Sequence, residues 1–194
     1  TAGKDENIEE ARNQAMPFYR RHGVSWKKFG IVWNGTFANY RELRKFLEDE
    51  HSIKLNTSVD TEVIMHLIAI ELARCSSDNI NKPNFLEVVK TIYPKLDGGY
   101  SVAIMNGEGD LHAFRGPEAI RPLCYGENED LFAVASETNA LTIIGISNKN
   151  IRDAEGGELI SYTDHLEVAR YAESKKKSRC FFEDIYFGRP TSKM

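Results

Sequence analysis

The stretch from Phe29 to Arg44 limits most tightly what this chain can become. There an apolar run breaks on Asn-Gly, and a helix start follows within a few residues. Phe29-Gly30-Ile31-Val32-Trp33 is short, β-branched and aromatic, which reads as a buried strand punctuated by Asn34-Gly35. Asn39 followed by Glu42 has capping-box spacing and predicts a helix from about Tyr40 to Glu50. A lone Asn-Gly is ordinarily a tight turn. The pair also fits a second use. An Asn side-chain amide and a Gly backbone N–H, side by side at a strand end, can both point at one developing negative oxygen.

The rest of the chain suits one soluble domain with a sizeable core. It has 194 residues, 41% of them hydrophobic and 28% charged, an ordinary balance for a globular protein. The net charge of −4 gives no positive field for non-specific nucleic-acid binding, and Lys175-Lys176-Lys177 reads as a solvated loop. No apolar run approaches the roughly 18 residues of a membrane span, and the polar, acidic first fifteen residues are neither signal nor transit peptide. Cys75, Cys124 and Cys180 are few, odd in number and widely spaced, which fits a reducing compartment without a disulfide framework. The five His residues show no metal-ligand spacing, so no metal is expected.

Further helices are predicted from Thr57 or Ser58 as cap to about Arg74, and from Asn84 with core residues Phe85, Val88, Val89, Ile92 and Leu96. Asp60 and Glu62 fall in the first turn of the former, where the helix dipole favours carboxylates. The second half is β-rich. Tyr100–Met105 and Leu111–Arg115 read as a hairpin, followed by strands at Leu123–Tyr125 and Phe132–Ala135. A short helix over Ser136–Ile144, with Leu141 and Ile144 buried, precedes a hairpin of Glu158–Tyr162 and His165–Arg170. The mixed order of elements predicts an α+β fold with antiparallel sheets.

A series of segments, in order along nearly the whole chain, resembles the glutaminase domain of glutamine phosphoribosylpyrophosphate amidotransferase. They are Thr1-Ala2-Gly3, Met16-Pro17-Phe18, Asn34-Gly35 with Asn39 to Arg44, Asp60-Thr61-Glu62-Val63, Gly98 to Ser101, Ile120-Arg121-Pro122-Leu123, Val134 to Glu137, Ile151-Arg152-Asp153, Gly157-Glu158 and Phe182 to Pro190. That domain is a class II glutamine amidotransferase of the N-terminal-nucleophile hydrolases. The resemblance implies a four-layer αββα fold with two antiparallel sheets, spanning 1–194 as a single glutamine amidotransferase domain that is incomplete at the N-terminus. It implies release of ammonia from glutamine for phosphoribosyl pyrophosphate in purine biosynthesis, in a cytoplasmic setting and without a cofactor. By the same resemblance Asn34 and Gly35 stabilise the oxyanion, Asp60 pairs with the substrate ammonium, and Thr1 lines the carboxylate pocket.

Several residues depart from the family. Members begin with a catalytic Cys whose own α-amine is the base. Here the chain opens on Thr1-Ala2-Gly3, which matches an internal loop, so Thr1 is not read as a nucleophile. Trp33 stands where His is usual, Thr36 where Asn is frequent, Gly116 to Ala119 replaces an Asp-Pro-Asn-Gly, and Gly156 a common Pro. Cys75, Cys124 and Cys180 sit in or beside apolar elements, as core cysteines do. The chain alone is therefore expected to be inactive, with a chain or segment carrying the Cys as partner. If the missing half is truly absent, one sheet should show an unpaired edge or inner strand covered by a partner, because exposed edges promote association; a homo-oligomer is also expected. The competing expectation is a non-catalytic descendant that kept the fold as a binding or structural module.

Overall fold

The computed structural model describes residues 12–76 and 81–175. Thr1, Cys180 and the segment 182–190 lie outside the described residues. The chain divides into two compact units, Thr1–Gly98 with Ile104–Gly109, and Gly99–Ala103 with Asp110–Met194.

In the first unit, β1 (Phe18–Arg20) pairs antiparallel with β2 (Phe29–Phe37), Phe18 opposite Ile31. Helices α1 (Tyr40–His51), α2 (Asp60–Cys75) and α3 (Phe85–Ile92) follow, and β3 (Gly98–Asn106) ends in this unit. The near-continuous apolar surface of α2 is the reason it lies innermost. Val63, Ile64, Leu67, Ile68 and Leu72 are all buried, and the helix packs on β1, β2, α1 and α3. Each such side chain contributes about 1.5–3 kcal/mol through removal from water.

The second unit holds two facing antiparallel sheets. One runs β4 (Leu111–Arg115), β8 (Glu158–Tyr162), β9 (Leu166–Arg170), and the other β6 (Phe132–Ala135), β5 (Cys124–Glu127), β7 (Ile151–Asp153). Ala113 and Ile160 from the first meet Leu123 and Tyr125 from the side of the second, with Phe132 stacked on Tyr162. On the outer face Cys124 packs with Leu141 of α4 (Thr138–Ile143) and Ile146. The fold is α+β, with two antiparallel sheets and helices outside them. The pairs β1–β2, β4–β8, β8–β9, β5–β6 and β5–β7 are all antiparallel, unlike those of a parallel doubly wound sheet.

Several local expectations change, among them Cys75, which is exposed at the end of α2 instead of in the core. The strand does not stop at Trp33 but runs through Asn34-Gly35 to Phe37, because neighbouring chain lies alongside and supplies partners: Ala38 N–H donates to Asp97 O at 2.7 Å. Asn39 stands at the N-cap of α1 without capping it. Its side chain instead donates to Lys95 O at 2.8 Å and accepts from Asp97 N at 3.2 Å. Neither Thr57 nor Ser58 caps α2, which starts from Val59. Ile144 is half exposed, because α4 ends at Ile143 and turns its last residues outward. Asn84 does cap α3, accepting from Leu86 N at 2.9 Å.

Gly98 is a position where only glycine serves. Its φ is 153°, and a Cβ there would lie inside contact with the Thr36 carbonyl oxygen. Gly98→Ala should therefore cost roughly 2–3 kcal/mol, read as a lower urea midpoint at unchanged slope. Unchanged stability would mean that β2 can move away from Gly98 freely.

Candidate active site

The far half of β2 carries the candidate site residues Asn34 and Gly35, and strand alternation decides where each points. Trp33 and Phe37 are buried, with ring centroids 4.5 Å apart. Side chains alternate along a strand, so Val32, Asn34 and Thr36 emerge on the opposite face, where Val32 and Thr36 are exposed and Asn34 is half-buried. Among the described residues the Asn34 carboxamide has no hydrogen-bond partner.

Backbone groups alternate between strand edges in the same way. Gly107 N–H donates to Lys28 O at 2.8 Å, and Ala38 N–H to Asp97 O at 2.7 Å, so even-numbered residues of this stretch face the β3 side. Odd-numbered residues face the β1 edge. Trp33 N–H donates to the Met16 sulfur at 3.1 Å, and Phe37 N–H to Asp60 Oδ2 at 3.1 Å. Alternation aims Gly35 N–H along this same edge, between those two partners and past the end of β1. The Gly35 and Phe37 amides are two strand residues apart, about 7 Å.

Asp60 is the first residue of α2. It sits beside the strand because α2 packs on β2, and the Phe37 amide anchors its carboxylate there. Burial raises its pKa above the ordinary 3.8, partly opposed by that hydrogen bond. A raised acid pKa means that the ionised form is disfavoured in the folded chain. Asp60 thus subtracts from stability at neutral pH, and the penalty vanishes only below the unfolded value. An unbalanced carboxylate held in place is suited to a cationic ligand.

Glu62 is more deeply placed, its side chain 3% exposed. Oε1 accepts from Asn56 N at 2.8 Å, and Oε2 from Thr57 N at 2.7 Å and Thr57 Oγ1 at 2.6 Å. Burial pushes its pKa up, but these hydrogen bonds, with His66 beside it, outweigh burial and hold the carboxyl below its usual value. His66 Nε2 lies 3.8 Å from Glu62 Oε1; burial lowers its pKa, opposed by Glu62 and aided by Arg20. Both groups contribute stability that is present above their unfolded values. For His66 it is lost as pH falls below about 6.5, and for Glu62 below about 4.5. Acidification from pH 7 to 4 should accordingly lower the urea midpoint through His66 and Glu62, against the gain as Asp60 takes up its proton, and His66→Gln should flatten the upper part of that profile. An identical pH profile in the variant would contradict this assignment.

Asn34 and Gly35 thus lie on the far half of β2, whose Phe37 amide meets Asp60 from the start of α2, whereas Thr1 lies outside the described residues. From the sequence, Glu62 is a helix-start charge within the family-like segment Asp60-Thr61-Glu62-Val63, and Met16 only part of the family-like Met16-Pro17-Phe18. The signal for Glu62 was available: a Glu at the third position of a helix preceded by hydroxyl and amide residues. Among the described residues no cluster of three His, Cys, Asp or Glu could hold a metal ion, and no helix is long and apolar enough to cross a membrane.

A family model described as "Glutamine amidotransferase domain" matches residues 7–143. Amidophosphoribosyltransferase of Pseudomonas aeruginosa is 32% identical over 203 residues, covering 100% of this chain and 38% of the relative. The Escherichia coli amidophosphoribosyltransferase is 33% identical over 190 residues, covering 93% and 36%. The structure of glutamine phosphoribosylpyrophosphate amidotransferase from B. subtilis, complexed with ADP and GMP, superposes with a TM-score of 0.76 at 30% identity, covering 92% of this chain and 36% of that one. The chain therefore spans little more than a third of these relatives. By sequence over most of its length and by fold, the chain belongs to the glutamine amidotransferase domain family, in its class II, N-terminal-nucleophile hydrolase form.

Proposed function

We propose that this domain binds glutamine along the far half of β2, and that it releases ammonia from the side-chain amide for transfer to phosphoribosyl pyrophosphate within purine biosynthesis. The observation that carries the reading is the Phe37 N–H···Asp60 contact on the edge that Gly35 N–H also faces. The α-ammonium of glutamine lies about 6 Å from its side-chain amide oxygen when extended. One molecule can then place its ammonium on Asp60 and its amide oxygen toward Gly35. Family membership favours this over a module that kept the fold without the ligand.

In this reading Asp60 fixes the substrate by its charged end, which holds the amide in one place for attack. When a thiolate of the kind the family uses adds to the amide carbon, the carbonyl oxygen becomes an oxyanion. Gly35 N–H and the Asn34 carboxamide donate to it, at roughly 3 kcal/mol per donor. Departure of ammonia leaves an acyl enzyme, which water resolves to glutamate.

Calorimetric titration of the 194-residue chain with L-glutamine and with 4-carbamoylbutanoate, which lacks the α-amine, tests the binding step. Glutamine should bind at least tenfold more tightly, as expected for a charge-assisted contact. Equal affinities would remove Asp60 from the site.

A further inference from the structure

Glu62 is buried far more deeply than a carboxylate serving the helix dipole needs to be. Dipole stabilisation works at an exposed position and asks for no specific partner. Here both carboxylate oxygens are engaged, and every strong donor comes from the two residues Asn56 and Thr57. Asn56 Nδ2 adds a longer contact to Oε1 at 3.4 Å. The Glu62 amide in turn donates to Val59 O at 3.2 Å, and Thr57 Oγ1 accepts from Val59 N at 3.4 Å. The segment 56–59 is thus tied at both ends to the first turn of the helix that it enters. Asp60 is the next residue, extended Val59 being its N-cap.

We infer that Glu62 is a positioning residue: by clamping Asn56 and Thr57 it fixes the entry into α2, and so holds the Asp60 carboxylate on the Phe37 amide. Its relevance to glutamine rests on the role proposed for Asp60. The groups facing Glu62 are the Asn56 and Thr57 donors and, one turn along, His66, with Arg20 close to His66. Gln cannot replace Glu62, because its NH2 would face donors in place of an acceptor.

The test combines Glu62→Gln, Asp60→Asn and the double variant in the full chain, read by the Phe37 amide proton resonance and by glutamine titration. If Glu62 acts through Asp60, Glu62→Gln should shift the Phe37 amide toward its position in an unbonded strand. It should also weaken glutamine by about tenfold while leaving 4-carbamoylbutanoate unchanged. In the Asp60→Asn background it should have little further effect, as residues acting through one contact are non-additive. Thr57→Val removes one donor without a buried-charge change. It should act in the same direction more weakly, and it carries the test should Glu62→Gln not fold. A Phe37 amide that stays in place in both variants would overturn the inference, as would additive losses for glutamine. A shifted amide in Glu62→Gln with glutamine binding indifferent to Asp60→Asn would uphold the positioning and overturn the glutamine role of Asp60.

Discussion

Asp60→Asn should weaken glutamine binding by thirty- to a hundredfold, about 2–3 kcal/mol, without loss of fold. The loss falls in the lower part of the range for removing one member of a desolvated charge pair, because Asp60 is only half-buried. Asn retains an oxygen that can accept from Phe37 N–H, so the strand contact survives while the charge is lost. The free protein should show the opposite sign. Burial disfavours ionised Asp60, so the neutral variant should melt at the same temperature as the parent or slightly above. Loss of binding together with loss of stability would point to a structural carboxylate. Glutamine binding by the parent should also weaken at acidic pH as Asp60 takes up its proton, at a midpoint above the ordinary carboxylate value.

Arg115→Ala should destabilise the second unit by about 3–5 kcal/mol. Arg115 is 7% exposed, and its guanidinium donates to three carbonyl oxygens: Arg121 O at 2.6 Å, Ala154 O at 2.7 Å and Ala119 O at 2.9 Å. Truncation removes that donor from all three; Arg121 O keeps Ser101 Oγ at 3.1 Å, while Ala154 O and Ala119 O each lose it at a penalty of about 1–3 kcal/mol before relaxation and water entry. The guanidinium also closes the 116–121 loop, in which Ala119 has a φ of 51°. That left-handed conformation is held against its own preference by the surrounding hydrogen bonds. For a chain of this size the melting temperature should drop by about 10 °C or more. Arg115→Lys, with its single point of donation, should recover only a fraction. A drop of less than about 2 °C would show that the three carbonyls find other partners.

What the sequence disclosed depended on how local the cause was. Helix α2 was legible because its apolar residues recur on nearly every side, and only burial explains that pattern. The β8–β9 hairpin was legible from two alternating runs and a short turn between them. The Asn34-Gly35 turn was the natural local reading, but the surrounding chain overrides it. β2 continues because backbone runs alongside it, with Gly98 allowing a close pass at Thr36. Asn39 likewise looked like a cap, yet Lys95 and Asp97, over fifty residues away, take its side chain. Strand β7 is only three residues long and was visible as a family-like segment, without periodicity of its own. At the site, residue types pointed to Asn34, Gly35 and Asp60 by resemblance. The contact that relates them, from Phe37 N–H to Asp60, joins residues 23 apart and leaves no trace in local pattern.

A crystal structure of the chain with glutamine bound tests most directly whether Asp60 and the Asn34-Gly35 pair serve one ligand. The α-ammonium should lie within hydrogen-bond distance of the Asp60 carboxylate, with the side-chain oxygen facing Gly35 N–H and the Asn34 amide. Glutamine bound elsewhere, or bound with its ammonium away from Asp60, would contradict it.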